Sequence, residues 1–344
     1  MFYKRVSKNI KDYIGIKNSL RKLTDKEFND IKAALGKQLS NITYTYNYTD
    51  DELNTDFKKL KNFSSSVNYT SSTIRVGMKL CEHFFPNFFK IQNKSKESFA
   101  EKWKNPKFLE NVFEWNRKNH STPYISELRR GVYFCGGQTK STYYRPHIMK
   151  MILDKYDAKH VLDPCCGWGG RFLGTICDPD RYYIGFEPNI ETYNNIQRMA
   201  TFLNIKKYRL IHDGAEHLTD YISKHERIDA IVTSPPYFNL ELYDANNKKQ
   251  IEQYKTYDVW KTEWLFPLIK QATDHLSTNG ISCWNVANID KLTLLDDVIE
   301  YHKSLGFIEH DIFFLTNKSR PIAKKNSLVK KDVTVVFKKT NHQL

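Results

Sequence analysis

The most specific chemistry in this 344-residue sequence sits in four residues, Ser234-Pro235-Pro236-Tyr237. They follow an apolar run, IDAIVT, that reads as a buried strand, and two successive prolines cannot continue a strand ladder. The prolines therefore make a stiff, extended turn at the strand's carboxyl end, with main-chain carbonyls pointing outward as fixed acceptors. A hydroxyl (Ser234), a carbonyl (Pro235) and an aromatic face (Tyr237) together suit an amino group carried on a flat ring. Such an amine is a poor nucleophile because its lone pair is delocalised into the ring. Acceptors that draw its N–H bonds out of the ring plane localise the lone pair for attack on an electrophile, while the ring stacks on Tyr237.

Upstream, Asp163-Pro164-Cys165-Cys166-Gly167-Trp168-Gly169-Gly170-Arg171 joins an apolar strand segment to the apolar helix FLGTIC. Its glycines let the backbone turn tightly and approach a ligand, and the helix start offers free N–H groups. Two further carboxylates fall at strand ends. Glu187, in YIGFEPN, stands about 20 residues on, where an acid accepts hydrogen bonds from ribose hydroxyls. Asp213, in LIHDGAEH, is placed to accept from an adenine amino group. Acids at three successive strand ends describe a nucleoside site. Asp163 would repel a pyrophosphate but attract the ammonium of a methionine, so the site reads as one for S-adenosylmethionine (AdoMet) rather than NAD.

These loops need a parallel sheet to hold them. Short apolar, β-branched runs alternate with helical segments from about residue 132. They predict strands at 160–162, 182–186, 208–211, 229–233, 280–286, 307–315 and 333–338. No convincing helix separates the last two, which are expected as an antiparallel pair at the sheet's edge. Residues 1–120 are expected to form a basic, mostly helical N-terminal region, with helices in DKEFNDIKAALGKQL and ESFAEKWKNPKFLENVFEWNRK and loops at 40–49 and 64–73. Residues 121–344 are expected to form the catalytic domain.

The glycine loop and the tetrapeptide together resemble those of the DNA amino-methyltransferases, in which a DPxxGxG-type loop binds AdoMet and an (S/N/D)PP(Y/F) tetrapeptide holds the target amine. The resemblance covers residues from about 130 to 340. It implies an α/β, Rossmann-like class I AdoMet methyltransferase sheet of seven strands. Asp163, Pro164, Cys165, Gly167 and Gly169 would line the methionine and ribose, Glu187 the ribose and Asp213 the adenine, with Ser234, Pro235, Pro236 and Tyr237 as the catalytic set. Residues 141–152, STYYRPHIMKMI, are similar to the family's helix entry, which implies Thr142, Arg145 and Pro146 at the methionine end. A serine at the tetrapeptide's first position is similar to the cytosine-N4 branch and favours cytosine N4 over adenine N6. The resemblance implies double-stranded DNA as partner, a base flipped out at a cost of a few kcal/mol, and a bacterial or phage setting of the restriction-modification kind.

Composition agrees with a polyanionic partner. The net charge is +14, and residues 1–120 hold 23 Lys and Arg against 13 Asp and Glu. Neither usual position for a specificity region has room. Recognition is therefore expected from the N-terminal region, from a partner, or from the loop 238–258, where Lys248 and Lys249 are the DNA-binding candidates. The six cysteines, at 81, 135, 165, 166, 177 and 283, have neither disulfide-framework nor zinc spacing and read as reduced, intracellular thiols. Cys165 lies at the cofactor loop, away from the target-base strand, so it is not read as a nucleophile. The histidines show no ligand spacing, and no metal is expected. With no long apolar stretch, a soluble, cytoplasmic protein is expected. The alternatives are an RNA base amino-methyltransferase and a catalytically silent AdoMet-fold subunit that binds nucleic acid.

Overall fold

The computed structural model describes residues 20–92, 97–119, 123–136, 142–238, 254–289, 291–317 and 329–339. They fall into two compact units. One takes its described residues from Met1–Thr49 and Pro86–Ser141, the other from Asp50–Phe85, Thr142–Asn239 and Lys249–Leu344. The sequence reading puts a single boundary near residue 120, whereas residues 50–85 belong with the sheet. Their apolar partners lie far along the chain: Phe84, for example, packs on Phe202 at 5.5 Å.

The N-terminal unit is helical. Asp25–Ser40 opens on a capping box in which Thr24 and Glu27 satisfy each other's backbone N–H groups. The second predicted helical stretch is broken in two, Phe99–Trp103 and Pro106–Lys118, because Asn105 caps the latter and Pro106 starts it.

The larger unit is an eight-stranded, mostly parallel sheet with helices on both faces. Its strands are β1 (Tyr69–Ser71), β2 (His160–Asp163), β3 (Tyr182–Phe186), β4 (Tyr208–Ile211), β5 (Ile228–Thr233), β6 (Leu276–Asn285), β7 (Phe307–Asn317) and β8 (Val329–Lys339), in the order β1-β7-β8-β6-β5-β2-β3-β4. All seven predicted strands are present. β8 runs antiparallel between β6 and β7. The expected edge pair is not quite at the edge, because β1 pairs parallel to β7, with Tyr69 opposite Phe314. The sequence reading gave 64–73 to a loop. Three residues are too few to show a period, and this strand forms only through its distant partner.

Successive residues of the central strands enter opposite layers. Val161, Ala230, Val232, Cys283 and Val336 pack in one layer with Ile148, Met149 and Ile152 of the helix Pro146–Tyr156. Leu162, Ile231, Trp284, Val335 and Phe337 pack in the other, with Leu268, Ile269, Leu294 and Val298. Burial on both faces is why these strands read as continuous apolar runs. No described helix is long and apolar enough to cross a membrane.

One polar chain crosses the second layer. His302 Nδ1 lies 2.8 Å from the Val298 carbonyl, which can only accept, so Nδ1 carries the proton and Nε2 accepts from the Ser282 hydroxyl at 2.9 Å. Ser282 Oγ in turn accepts from Trp284 Nε1 at 2.8 Å. Burial holds the pKa of His302 down to about 4, and burial with the charge of Arg145 does the same at His147. In the unfolded chain both titrate near 6.5. Between those values the unfolded state binds more protons, so stability is complete above about pH 6.5 and drains away as pH falls towards 4, by roughly 1.4 kcal/mol per pH unit per histidine. Denaturant unfolding across that range, on the wild type and His302→Gln, checks this. The variant should lose one histidine's share of the slope, and equal slopes would refute the assignment.

Candidate functional site

Reading along the sheet, β3 and β4 lie on one side of β2, while β5 and β6 lie on the other. Chain order thus reverses between β2 and β5. At such a switch point the loops leaving the two strands diverge and open a crevice at their carboxyl ends. The glycine loop leaves β2 and the tetrapeptide leaves β5, so the two motifs flank that crevice. Glu187 and Asp213 follow β3 and β4 at the same edge.

The glycine loop is built around a buried ion pair. The carboxylate of Asp163, 0% exposed, accepts from Arg171 Nε at 2.8 Å, Tyr183 Oη at 2.8 Å and Cys165 N at 3.3 Å. Arg171 also donates to the Cys165 carbonyl and lies over the Tyr144 ring, 5.2 Å from its centroid. The sequence reading turns Asp163 towards a ligand ammonium. In the structure its charge is met inside the protein by Arg171, eight residues on, and these bonds hold the loop. Pro164 lies within that loop, and burial pushes the thiols of Cys165 and Cys166 well above their usual range, consistent with packing roles.

Two glycines need their lack of a side chain for different reasons. Gly169 (φ 69°) would drive a Cβ to within 2.5 Å of the Phe85 ring, whereas at Gly167 (φ 56°) a Cβ would meet nothing closer than Arg171 Nη2 at 3.8 Å. Gly167 therefore has room for a Cβ, and its positive φ is what calls for glycine. Beside it Glu187, 7% exposed, accepts from Gly167 N at 3.1 Å and Asn189 N at 3.0 Å. Burial raises its pKa to about 8 against the pull of those two N–H groups. Asp213 is more open. It accepts from Gly214 N at 2.8 Å, His217 Nδ1 at 2.9 Å and Tyr221 Oη at 2.8 Å. Burial opposes ionisation there, but these bonds outweigh it and lower the pKa.

At the other implied contact, Thr142 is exposed, and Pro146 is buried where any side chain on Gly77 would strike its ring. Arg145 has Nε and Nη1 buried without a hydrogen-bond partner. Burial, then the neighbouring charge of Arg75, lowers its pKa. A glycine turn of positive φ at Gly167, a buried carboxylate held by two backbone N–H groups at Glu187, and two guanidinium nitrogens of Arg145 buried without an acceptor fit the loop, ribose and carboxylate contacts of AdoMet.

Across the crevice the Ser234 hydroxyl donates to the Asn285 carbonyl at 3.1 Å. Asn285 Nδ2 donates to the Val333 carbonyl at 2.9 Å and reaches Thr334 Oγ1 at 3.4 Å. Thr334 in turn contacts Tyr144 Oη at 3.1 Å. Pro235 is buried, with Pro236 and Tyr237 half-buried. The next residue, Phe238, has φ 50°, a left-handed conformation that is strained for a bulky side chain. Its ring is held 6.1 Å from both Tyr257 and Trp260, and Trp260 stacks on Trp264 at 5.4 Å. Lys248 and Lys249 lie outside the described residues.

Residues 135–283 match the family model described as N-6 DNA Methylase, a stretch that spans both motifs. Over that stretch the chain is similar to this family. The match covers less than half of the chain. No curated protein matches. Solved structures similar to the chain include precorrin 8w decarboxylase from Methanobacterium thermoautotrophicum (14% identity, 58% of this chain and 93% of that one, TM-score 0.40). Others are an rRNA methylase from Streptococcus thermophilus (18%, 58% and 99%, TM-score 0.37) and a SAM-dependent O-methyltransferase from Thermotoga maritima (12%, 62% and 72%, TM-score 0.40). Likeness at this level says nothing about substrate.

Sequence reasoning missed four residues that support the candidate site: Arg171, Tyr144, Asn285 and Phe238. Arg171 stood inside the quoted motif, where a lone arginine beside a glycine loop could have been paired with Asp163. The other three act through contacts that no spacing announces. Because Asp163 is wholly buried, Arg171→Met leaves an uncompensated charge and should lower stability by about 3–5 kcal/mol. Adding Asp163→Asn should recover much of that loss in thermal unfolding, whereas strictly additive losses would show that the two side chains do not act as a pair.

Proposed function

We propose that the protein transfers the AdoMet methyl group to an exocyclic amino group of a base in double-stranded DNA, cytosine N4 being the favoured position. The observation that carries this reading is the commitment of Ser234. Because its proton is given to Asn285, the serine oxygen keeps its lone pairs for an incoming N–H donor. The Pro235 carbonyl offers the second acceptor, Tyr237 the stacking face for the flipped base, and the aromatic layer behind Phe238 holds the turn. Bound AdoMet supplies the electrophilic methyl. With both N–H bonds drawn aside, the amine nitrogen attacks in line. The new N–C bond replaces the S–C bond, and the surplus amine proton leaves to solvent. The single hydroxyl of Ser234 favours cytosine N4. Adenine N6 is the second reading, favoured by the family description of the matched stretch.

Incubation with labelled AdoMet and mixed-sequence duplex DNA, then mass spectrometry of the nucleosides, is the test. N4-methylcytosine is expected. N6-methyladenine would keep the mechanism and move the base, and label in RNA alone would overturn the DNA reading. Ser234→Ala should cut turnover by about 10²-fold or more, the scale for one lost hydrogen bond to the reacting group, with AdoMet affinity unchanged. Unchanged turnover in Ser234→Ala or Pro235→Ala would sink the amine site.

In this reading Glu187 accepts the ribose hydroxyls, which bind its ionised form. Its pKa in the free protein is raised to about 8, so AdoMet affinity should climb as pH rises towards that value and then level off. Calorimetric titration at several pH values should show this in the wild type and a flat, weaker profile in Glu187→Gln. A pH-independent wild type would remove Glu187 from the site.

A further inference from the structure

The N-terminal unit carries a second built surface that methyl transfer does not use. The helix Ile125–Gly136 buries Ile125, Leu128, Gly131 and Val132, yet near its C-terminal end presents two adjacent aromatic rings to solvent, Tyr133 at 49% and Phe134 at 53% exposure. The two rings stand 5.4 Å apart at 89°, making an open corner. Each is backed by another ring. Phe134 stacks on Trp115 of the helix Pro106–Lys118 at 5.2 Å and 11°, and Tyr133 on Phe99 at 6.4 Å and 20°. The Arg130 guanidinium lies 5.9 Å from the Trp115 ring and 5.6 Å from that of Phe134. Gly131 makes this approach possible, since a Cβ there would sit 2.7 Å from Val112 and 3.1 Å from the Trp115 ring.

Rigid rings backed by rings, with a guanidinium over them, match the way proteins hold unpaired bases, because every base has a π-face. The charge balance points the same way. The two helices hold five Lys and Arg against three Glu. One of those glutamates, Glu114, is paired with Lys32 at 2.7 Å, and Glu127 holds Arg130 at 3.4 Å by an exposed contact that an incoming phosphate would displace. Lys118, one turn beyond Trp115 and on the same side of its helix, is exposed. We propose that Tyr133 and Phe134 form a stacking platform for unpaired bases of a nucleic-acid strand, with Arg130 and Lys118 meeting its phosphates. The inference rests on the proposal that the substrate is nucleic acid and names where, outside the methyl-transfer site, the strand is gripped.

The test is fluorescence anisotropy of a labelled, mixed-sequence single-stranded DNA oligonucleotide at one fixed salt concentration, with AdoMet affinity measured in parallel. Phe134→Ala and Tyr133→Ala should each weaken oligonucleotide binding by about tenfold, the effect of losing one base–aromatic stack, and leave AdoMet affinity unchanged. Phe134→Trp should retain binding and Phe134→Leu should not, because leucine is apolar but has no π-face. Unchanged binding in Phe134→Ala, or full binding in Phe134→Leu, would overturn the platform. So would sedimentation showing that the wild type self-associates and Phe134→Ala does not, since the face would then be an interface between copies. If oligonucleotide binds through these rings but no base is methylated, the proposed reaction fails and the platform stands. If a base is methylated and Phe134→Ala changes neither binding nor transfer, the platform fails and the reaction stands.

Discussion

A carboxylate and a guanidinium lie against each other at the end of β2 with almost no water around either, and the crevice takes its shape from that contact. Burying both charges is costly, and an apolar pair of the same volume would often be more stable. An apolar pair, however, could not do what Arg171 does with its remaining surface. It holds the Cys165 carbonyl and covers the Tyr144 ring while pairing with Asp163. From Tyr144 the contacts continue through Thr334 and Asn285 to the Ser234 hydroxyl. The loop after β2 and the turn after β5 therefore share one support, although 71 residues separate Asp163 from Ser234.

The three carboxylates along this edge look alike in sequence and differ in physics. Asp163 is neutralised from within and belongs to the framework. Glu187 is nearly as enclosed, and two backbone N–H groups with the more distant charge of Arg171 do not outweigh its desolvation, so burial wins and its proton is held more tightly. Asp213 stands nearer to solvent, and bonds from a histidine, a tyrosine and a backbone N–H keep it ionised. Position at a strand's end decides which side of the sheet an acid serves. The partners around it decide its charge.

That division also explains how far the sequence could be read. The seven predicted strands were legible because burial on both faces leaves runs such as IDAIVT with no polar interruption, and the glycine loop and tetrapeptide were legible because few other residues can make those turns. β1 was not, since Tyr69, Thr70 and Ser71 become a strand only against residues 314–316. Nor was the placement of residues 50–85 with the sheet, in place of a single boundary near 120, legible, because it depends on packing with segments much later in the chain. At the site, residue types were visible and their partners were not. An aspartate before a glycine loop announces a ligand just as readily as it announces a buried arginine. Phe238 gave no sign of its left-handed backbone, which a cluster of rings from residues 257–260 holds in place.

The insertion of β8 between β6 and β7 has a consequence for the order in which the molecule comes into being. Ser234 is anchored through Asn285, and the side chain of Asn285 is clamped by Val333 and Thr334, 48 and 49 residues further on. At ribosomal rates of about 5–20 residues per second, that interval is roughly 2–10 s. During it a nascent chain already has β2 to β4 and the whole glycine loop, yet β6 still lacks its antiparallel neighbour. Emergence of β8 from the ribosome is thus the event that closes the sheet, and the turn after β5 is the last part of the crevice to become rigid.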